Sequence, residues 1–325
     1  MGCSFGDFSR LKSSWVRTLL LAAFLFVLMM FAIKSSPHLL NPMAFKRSPS
    51  PQSSLPRANS LTRYQNETLQ QLPHVIIIGV PKAGTYALLR MLSLHSGVAT
   101  TEWEVHFFDL ESNYEMGYSW YVSKMPYAFP DQLTVEQTAI YFPTSNVPER
   151  IHQMNPDIKL LLIVREPTDR VVSGYTHGLY MDIANHRIIK PIEDFLFKDG
   201  QLDLEFKGLN YSLYYVHMQN WLKYFPLKNF HIVDGDELVK DPVPEMKKVE
   251  RFLGLEPQIN SSFFVFNEKK GFYCLKEHGQ EQCLSTEKGR AHPYVEPDIL
   301  QKLHQFFHEP NKRFFKLVGH TFNWK

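Results

Sequence analysis

His74-Val75-Ile76-Ile77-Ile78-Gly79-Val80, followed at once by Pro81-Lys82-Ala83-Gly84-Thr85, is the stretch on which the reading of the fold turns. The first seven residues are a continuous, β-branched apolar run bounded by glycine. That composition suits a strand buried on both faces, as in a parallel sheet. Residues 85–95 (TYALLRMLSLH) then read as a helix. A loop of small residues between strand and helix lets backbone N–H groups approach an anion, and the helix N-terminus adds its partial positive charge. Lys82 supplies a mobile cation and Thr85 a hydroxyl. In isolation the same loop reads better as an ordinary tight turn, and it is the strand before it and helix after it that favour the anion site. An ATP-type phosphate loop places lysine directly after its second glycine. Here Thr85 holds that position and Lys82 lies two residues before Gly84, which argues against a nucleotide kinase.

Outward from this loop the same alternation recurs. KLLLIV at 159–164 is a second buried strand with a helix expected after Arg165-Glu166-Pro167, and FHIVD at 230–234 is a third. Tyr214, Met218, Trp221 and Phe225 fall on one helix face. Asp241-Pro242 reads as an N-cap with proline in the first turn, Met246, Val249 and Leu253 as the apolar stripe, and Gly254 as the stop. Strands alternating with helices predict an α/β fold, a single domain over 73–325 with a mainly parallel central sheet flanked by helices.

Composition bounds the rest. With 44% hydrophobic and 21% charged residues, the 325-residue chain has ordinary globular usage, and a formal charge of +2 points to no nucleic-acid partner. Residues 19–33 (LLLAAFLFVLMMFAI) carry no charge and follow Arg10, Lys12 and Arg17. The expected organisation is a cytoplasmic tail (1–17), one membrane-spanning signal anchor (18–34) and a luminal stem rich in Ser and Pro (35–72). A cleaved signal peptide is the competing reading. Either places the remainder in an oxidising lumen, where sequons at Asn66, Asn210 and Asn260 would be glycosylated. There a Cys274–Cys283 disulfide is favoured over two free thiols. Its short loop would contribute roughly 2–3 kcal/mol in the chain-entropy picture.

Several ordered segments resemble one family. They are Glu104-Val105-His106-Phe107-Phe108-Asp109, Val147-Pro148-Glu149-Arg150, His217-Met218-Gln219-Asn220-Trp221, Gly271-Phe272-Tyr273-Cys274-Leu275, Lys288-Gly289-Arg290-Ala291-His292-Pro293 and His308-Glu309-Pro310-Asn311-Lys312. From about residue 70 to the end, the chain resembles the heparan sulfate glucosamine 3-O-sulfotransferases (isoform-one type) of the sulfotransferase superfamily, which carry a P-loop-like fold. The resemblance implies 3′-phosphoadenosine-5′-phosphosulfate (PAPS) as donor and a heparan-sulfate-like chain in the Golgi as acceptor, with no metal. Lys82, Ala83, Gly84 and Thr85 would hold the 5′-phosphosulfate, and Arg165 and Ser173 the 3′-phosphate. Tyr273 and the segment Lys288, Gly289, Arg290, Ala291 and His292 would close over the nucleotide. Glu104 would be the general base, with Lys82, His106 and Asp109 completing the catalytic group. Tyr86, Glu104, His106, Gln137 and His177 would face the acceptor.

The chain also departs from the family's pattern. Arg-Lys-Gly-Gly-Thr-Arg is replaced by Pro81-Lys82-Ala83-Gly84-Thr85-Tyr86, and Glu-Lys-Thr-Pro-Ala-Tyr by Glu136-Gln137-Thr138-Ala139-Ile140-Tyr141. Gly174 and His177 stand where an Asp and a Gln are usual. A cation facing developing sulfuryl charge contributes roughly 2–4 kcal/mol by analogy with oxyanion donors. These changes keep a second reading open, a weak or inactive paralogue that binds nucleotide or glycan.

Overall fold

The strand expected at 74–80 is present as β1 (Val75–Gly79), buried along its whole length. The computed structural model describes residues 67–325 except 278 and 286–288. The tail (1–17), the anchor (18–34), most of the stem, Asn66 and Lys288 lie outside the described residues. Among those described, no helix is long and apolar enough to cross a membrane.

After β1 the main strands are β2 (Val98–Thr100), β3 (Leu133–Gln137), β4 (Lys159–Val164), the short hairpin β5 (Phe197–Lys198) and β6 (Gln201–Leu202), and then β7 (Phe230–Asp234). The central sheet has the order β2-β3-β1-β4-β7, and every neighbouring pair in it is parallel. The mainly parallel α/β expectation therefore holds. A separate antiparallel sheet of β8 (Phe264–Asn267), β9 (Phe272–Glu277) and β10 (Gln280–Gln282) follows, which the sequence pattern did not announce. The principal helices are α1 (Thr85–Leu92), α2 (Gly117–Val122), α3 (Val147–Met154), α4 (Pro167–Ala184), α5 (Tyr214–Trp221), α6 (Gly235–Lys240), α7 (Pro242–Leu253) and α8 (Pro297–Val318).

Local chemistry accounts for several boundaries. Asp241 accepts a hydrogen bond from the Val243 N–H at the start of α7, and Gly254 ends that helix with a φ of 76°. The apolar face of α7, Met246, Val249 and Leu253, is buried as its spacing predicts. Leu69 forms an isolated antiparallel bridge with Ala128, and Gln70 donates to the carbonyls of Ser123 and Met125. These contacts tie Leu69 and Gln70, just before Pro73, to the domain.

The order of strands fixes where a site can form. From β1 the chain moves outward to β2, returns through β3, and then crosses to β4 on the other side of β1. The crevice at such a reversal, outside the C-terminal strand ends, is where open α/β sheets bind ligands. The loops after β1 and β4 both emerge there. Gly84 is the N-cap of α1 at φ 108°, with no side chain capping it, so the first N–H groups of the helix face this crevice.

Two contacts hold the loop after β1. A Cβ on Gly235 would lie 2.7 Å from both the Ala83 and the Val164 carbonyl oxygens, so the loop and the start of α6 touch backbone to backbone. Arg170 of α4 is fully buried and donates to the Pro81 carbonyl at 3.2 Å. It also donates to the Gly208 carbonyl and the Ser212 hydroxyl. Gly235→Ala should force these backbones apart and lower the melting temperature by about 2–10 °C, since overpacking costs roughly 1–3 kcal/mol in a domain of this size. Thermal denaturation followed by circular dichroism checks this, and an unchanged midpoint would contradict the close-contact reading.

Candidate active site

Lys82 sits at the tip of the loop after β1 with φ 74°, a left-handed conformation that is uncommon for a residue with a side chain. Its side chain lines a cavity of about 620 Å³ together with Ala83, Gly84 and Thr85. Arg165, at the end of β4, and Ser173, two turns into α4, line the same cavity. The ends of two strands and the second turn of α4 thus bring this loop, an arginine and a hydroxyl to one cavity.

Arg165 is held by its neighbours. Its Nε donates to Asp236 Oδ1 at 3.2 Å, and Nη2 lies 3.8 Å from Asp169 Oδ2. The other oxygen of Asp236 accepts the Glu166 N–H at 2.8 Å. Asp236 therefore fixes both the side chain and the following backbone, which leaves the guanidinium oriented along the cavity wall. Asp236 and Arg170 were not singled out from sequence. An acid after a strand and an arginine in an apolar helical stretch are the only signals there, and neither distinguishes a support from a solvated charge.

The later segments close the cavity from the opposite side. Tyr273 of β9, Gly289, Arg290 and His292 line it. Arg290 Nη1 lies 3.3 Å from His177 Nδ1, and its guanidinium stacks 4.5 Å over the Tyr180 ring. Cys274 and Cys283 are disulfide-bonded, tying β9 to the chain just after β10. Arg90 of α1 reaches Glu277 of β9 at 2.8 Å, bracing this hairpin against the loop helix. Two expectations change in detail. Ala291 is exposed and is not among the residues that line the cavity. His177, which the resemblance places toward the acceptor, lines this first cavity, where α4 brings it beside Arg290.

A second cavity, of about 450 Å³, adjoins the first: Thr85, Tyr86 and Arg90 line both. Glu104 and Gln137 line the second. A third, of about 700 Å³, continues past Glu104 to His106. Glu104 and Glu102 both line the second and third cavities.

The surroundings of Glu104 define its state. Its Oε1 accepts from Gln137 Nε2 at 2.6 Å and from the Ala139 N–H at 3.1 Å. Its Oε2 lies 3.4 Å from His106 Nε2. Burial opposes ionisation of Glu104, but the His106, Ala139 and Gln137 hydrogen bonds outweigh it and hold the carboxyl below its usual range. His106 Nδ1 pairs with Asp109 Oδ2 at 2.9 Å. The bond to Asp109, followed by that to Glu104, raises His106 to about 10, so the ring is an imidazolium between two carboxylates at neutral pH. Asp109 is largely buried, lines none of these cavities, and acts through His106.

Beneath this pair lies a support that sequence reasoning did not find. Thr138 Oγ1 accepts the N–H groups of Val105 and His106 and donates to Glu136 Oε1 at 2.5 Å. Glu136 is fully buried, and that burial raises it to about 8, so it is a neutral acid at pH 7. The Tyr141 hydroxyl accepts the N–H of Phe107 at 2.9 Å. The backbone of 105–107 is therefore pinned from below, which aims Glu104 and His106 outward.

Comparisons with known proteins give the family of the chain. A family model described as a sulfotransferase domain matches residues 72–315. Heparan sulfate glucosamine 3-O-sulfotransferase 5 of Mus musculus is 45% identical over 262 residues, covering 80% of this chain and 76% of that protein, and the Homo sapiens protein of the same name gives the same figures. The 3A1 protein of Mus musculus is 39% identical over 265 residues, covering 80% of this chain and 66% of that one. Among solved structures, a sulfotransferase from Alicyclobacillus acidocaldarius superposes with a TM-score of 0.57 over 78% of this chain and 98% of its own, at 19% identity, a likeness of fold alone. The match in domain, the identity over most of the chain and the shared architecture establish that this chain belongs to the heparan sulfate glucosamine 3-O-sulfotransferase family.

Proposed function

We propose that the domain transfers a sulfuryl group from PAPS to the 3-hydroxyl of a glucosamine residue in a heparan-sulfate-type chain. The observation that carries this reading is continuity. Thr85 and Tyr86 line both the anion cavity and the cavity that holds Glu104, so a donor on one side faces an ionised carboxylate on the other. The first cavity fits a polyanionic nucleotide: Lys82, Arg90, Arg165 and Arg290 line it, and the open N-terminus of α1 adds backbone donors. PAPS bound there supplies an electrophilic sulfur, and the new O–S bond forms as the S–O bond to the 5′-phosphate breaks. Glu104 takes the proton of the attacking hydroxyl. Lys82 and the N–H groups that open α1 stabilise the charge that grows on the departing phosphate oxygen. Arg165 and Ser173 hold the 3′-phosphate, and His106, fixed by Asp109, orients Glu104. Positioning accounts for most of the rate, because every group is placed before reaction.

In this reading the domain works in the Golgi lumen behind an N-terminal anchor. The Cys274–Cys283 bond and the apolar stretch at 19–33 support a secretory compartment. Asn260 is exposed and open to glycosylation, whereas Asn210 is half-buried.

With purified full-length protein, labelled sulfate should pass from PAPS to desulfated and partly sulfated heparan sulfate, and Glu104→Gln should reduce kcat by about 10²–10⁴-fold without changing nucleotide affinity. Undiminished transfer by this variant would remove Glu104 as base. Tight nucleotide binding without transfer by the unaltered protein would instead favour the binding-only paralogue.

The charge state of His106 makes a second expectation. Its pKa is raised, so its contribution to folding is complete below its ordinary 6.5 and is lost as pH rises through about 10. The pKa of Glu104 is depressed, so its contribution is present above the ordinary carboxylate range and is lost as pH falls below it. The rate should therefore show no inflection near 6.5 from this pair, and the His106 ring should titrate toward 10 by NMR. A ring titrating between 6 and 7 would contradict the double-carboxylate geometry.

A further inference from the structure

The family's pattern has arginine at position 86 and lysine at position 137, where this chain has Tyr86 and Gln137. Both residues line the second cavity, so two cations that the pattern supplies there are missing. Thr85, Tyr86, Arg90, Leu275, Gln282 and Leu284 line the first and second cavities alike. Among the described residues, Arg90 is the one charged side chain in that shared wall.

Arg90 lies one turn after Tyr86 on α1, and residues four apart share a helix face. Its Nη2 donates to one oxygen of Glu277, Oε1, at 2.8 Å. Its Nε is buried and has no hydrogen-bond partner among the described residues. A guanidinium carries five N–H groups in a rigid fork, so the Glu277 bond anchors one corner and leaves donors over. A buried donor without a partner is costly, and an incoming oxygen removes that cost. The Arg90 side chain is 34% exposed, which leaves it within reach of a ligand. A planar fork suits the oxygens of a sulfate group.

Resting on the proposed transferase reading, we propose that Arg90 grips a sulfate oxygen where the first and second cavities join. It stands in, from one helical turn further along, for the arginine that the family's pattern has at position 86. The sulfate belongs either to the donor, as the group being transferred, or to the acceptor glycan beside it. Glu277 holds the guanidinium at the junction and takes no part in binding.

Calorimetry with the full-length protein tests this apart from turnover, in two arms. The first compares PAPS with 3′-phosphoadenosine 5′-phosphate (PAP), which lacks the sulfuryl group. The second titrates an N-sulfated heparan sulfate oligosaccharide into the PAP-loaded protein. Arg90→Gln should weaken PAPS relative to PAP, the oligosaccharide, or both, by about tenfold, the scale of a lost hydrogen bond to a charged group. A loss in the first arm assigns the donor's sulfate, and a loss in the second the acceptor's. Arg90→Lys, which keeps the charge, should lose less, and the deficit of Arg90→Gln should shrink between about 50 and 500 mM salt. Glu277→Ala removes the anchor but not the cation, and should bind within about threefold of the unaltered protein, since a partly exposed ion pair contributes little. The inference is overturned if Arg90→Gln matches the unaltered protein in both arms, if Glu277→Ala reproduces its loss, or if the unaltered protein binds neither ligand. Absence of transfer from PAPS with the expected binding intact would sink the transferase reading alone.

Discussion

The backbone contact between Gly235 and the Ala83 carbonyl, together with the Arg170 hydrogen bond to Pro81, fixes the loop after β1 on which the site is built. The loop holds Lys82 in a left-handed conformation and leaves the start of α1 uncapped by any side chain. Such a loop is stable only if its neighbours over-determine it. Here α6 presses on one side and a buried guanidinium draws on the other. Arg170 is buried away from water, and burial depresses its pKa. It makes up for lost solvation by donating to Pro81, Gly208 and Ser212. A hydrophobic replacement would leave those acceptors unsatisfied.

The second half of the site is set by charge alternation. Glu104, His106 and Asp109 form a minus–plus–minus chain in which the imidazolium is held by both carboxylates. Below it Glu136 is kept neutral by burial, so a third carboxyl can sit close to Glu104 without adding another negative charge. Neutral Glu136 accepts the Thr138 hydroxyl, whose oxygen holds two backbone N–H groups of the 105–106 segment. Gln137 contributes an uncharged donor to Glu104 where the family pattern has lysine, so the carboxylate keeps a hydrogen bond but loses a neighbouring positive charge. This exchange helps make the second cavity less positive than the first.

How far the sequence announced all this follows from what each feature needs. The buried run at 74–80 and the loop after it were legible because a parallel strand and a phosphate-type turn impose composition locally. Arg165 was legible because a charge directly after an apolar strand must sit at a strand end. The antiparallel β8–β10 sheet was not legible as such, its strands being short, partly exposed and punctuated by polar residues. Arg170, Asp236, Glu136 and Thr138 were missed for a common reason. Each matters through a partner set by packing, as does the Arg90–Glu277 bridge across 187 positions. His177 and Ala291 were placed by motif order, and only the direction in which α4 and the late segment face shows one beside Arg290 and the other outside the cavity.

The account as a whole rests on Lys82 and Arg165 gripping one bisphosphorylated nucleotide beside Glu104. Titration calorimetry of the full-length protein with PAP measures this without any acceptor. One PAP should bind per chain, Lys82→Ala and Arg165→Ala should each weaken it by about tenfold or more, and Glu104→Gln should leave it unchanged. No heat of binding in folded protein, or cation variants that bind PAP as tightly as the unaltered protein, would contradict the account.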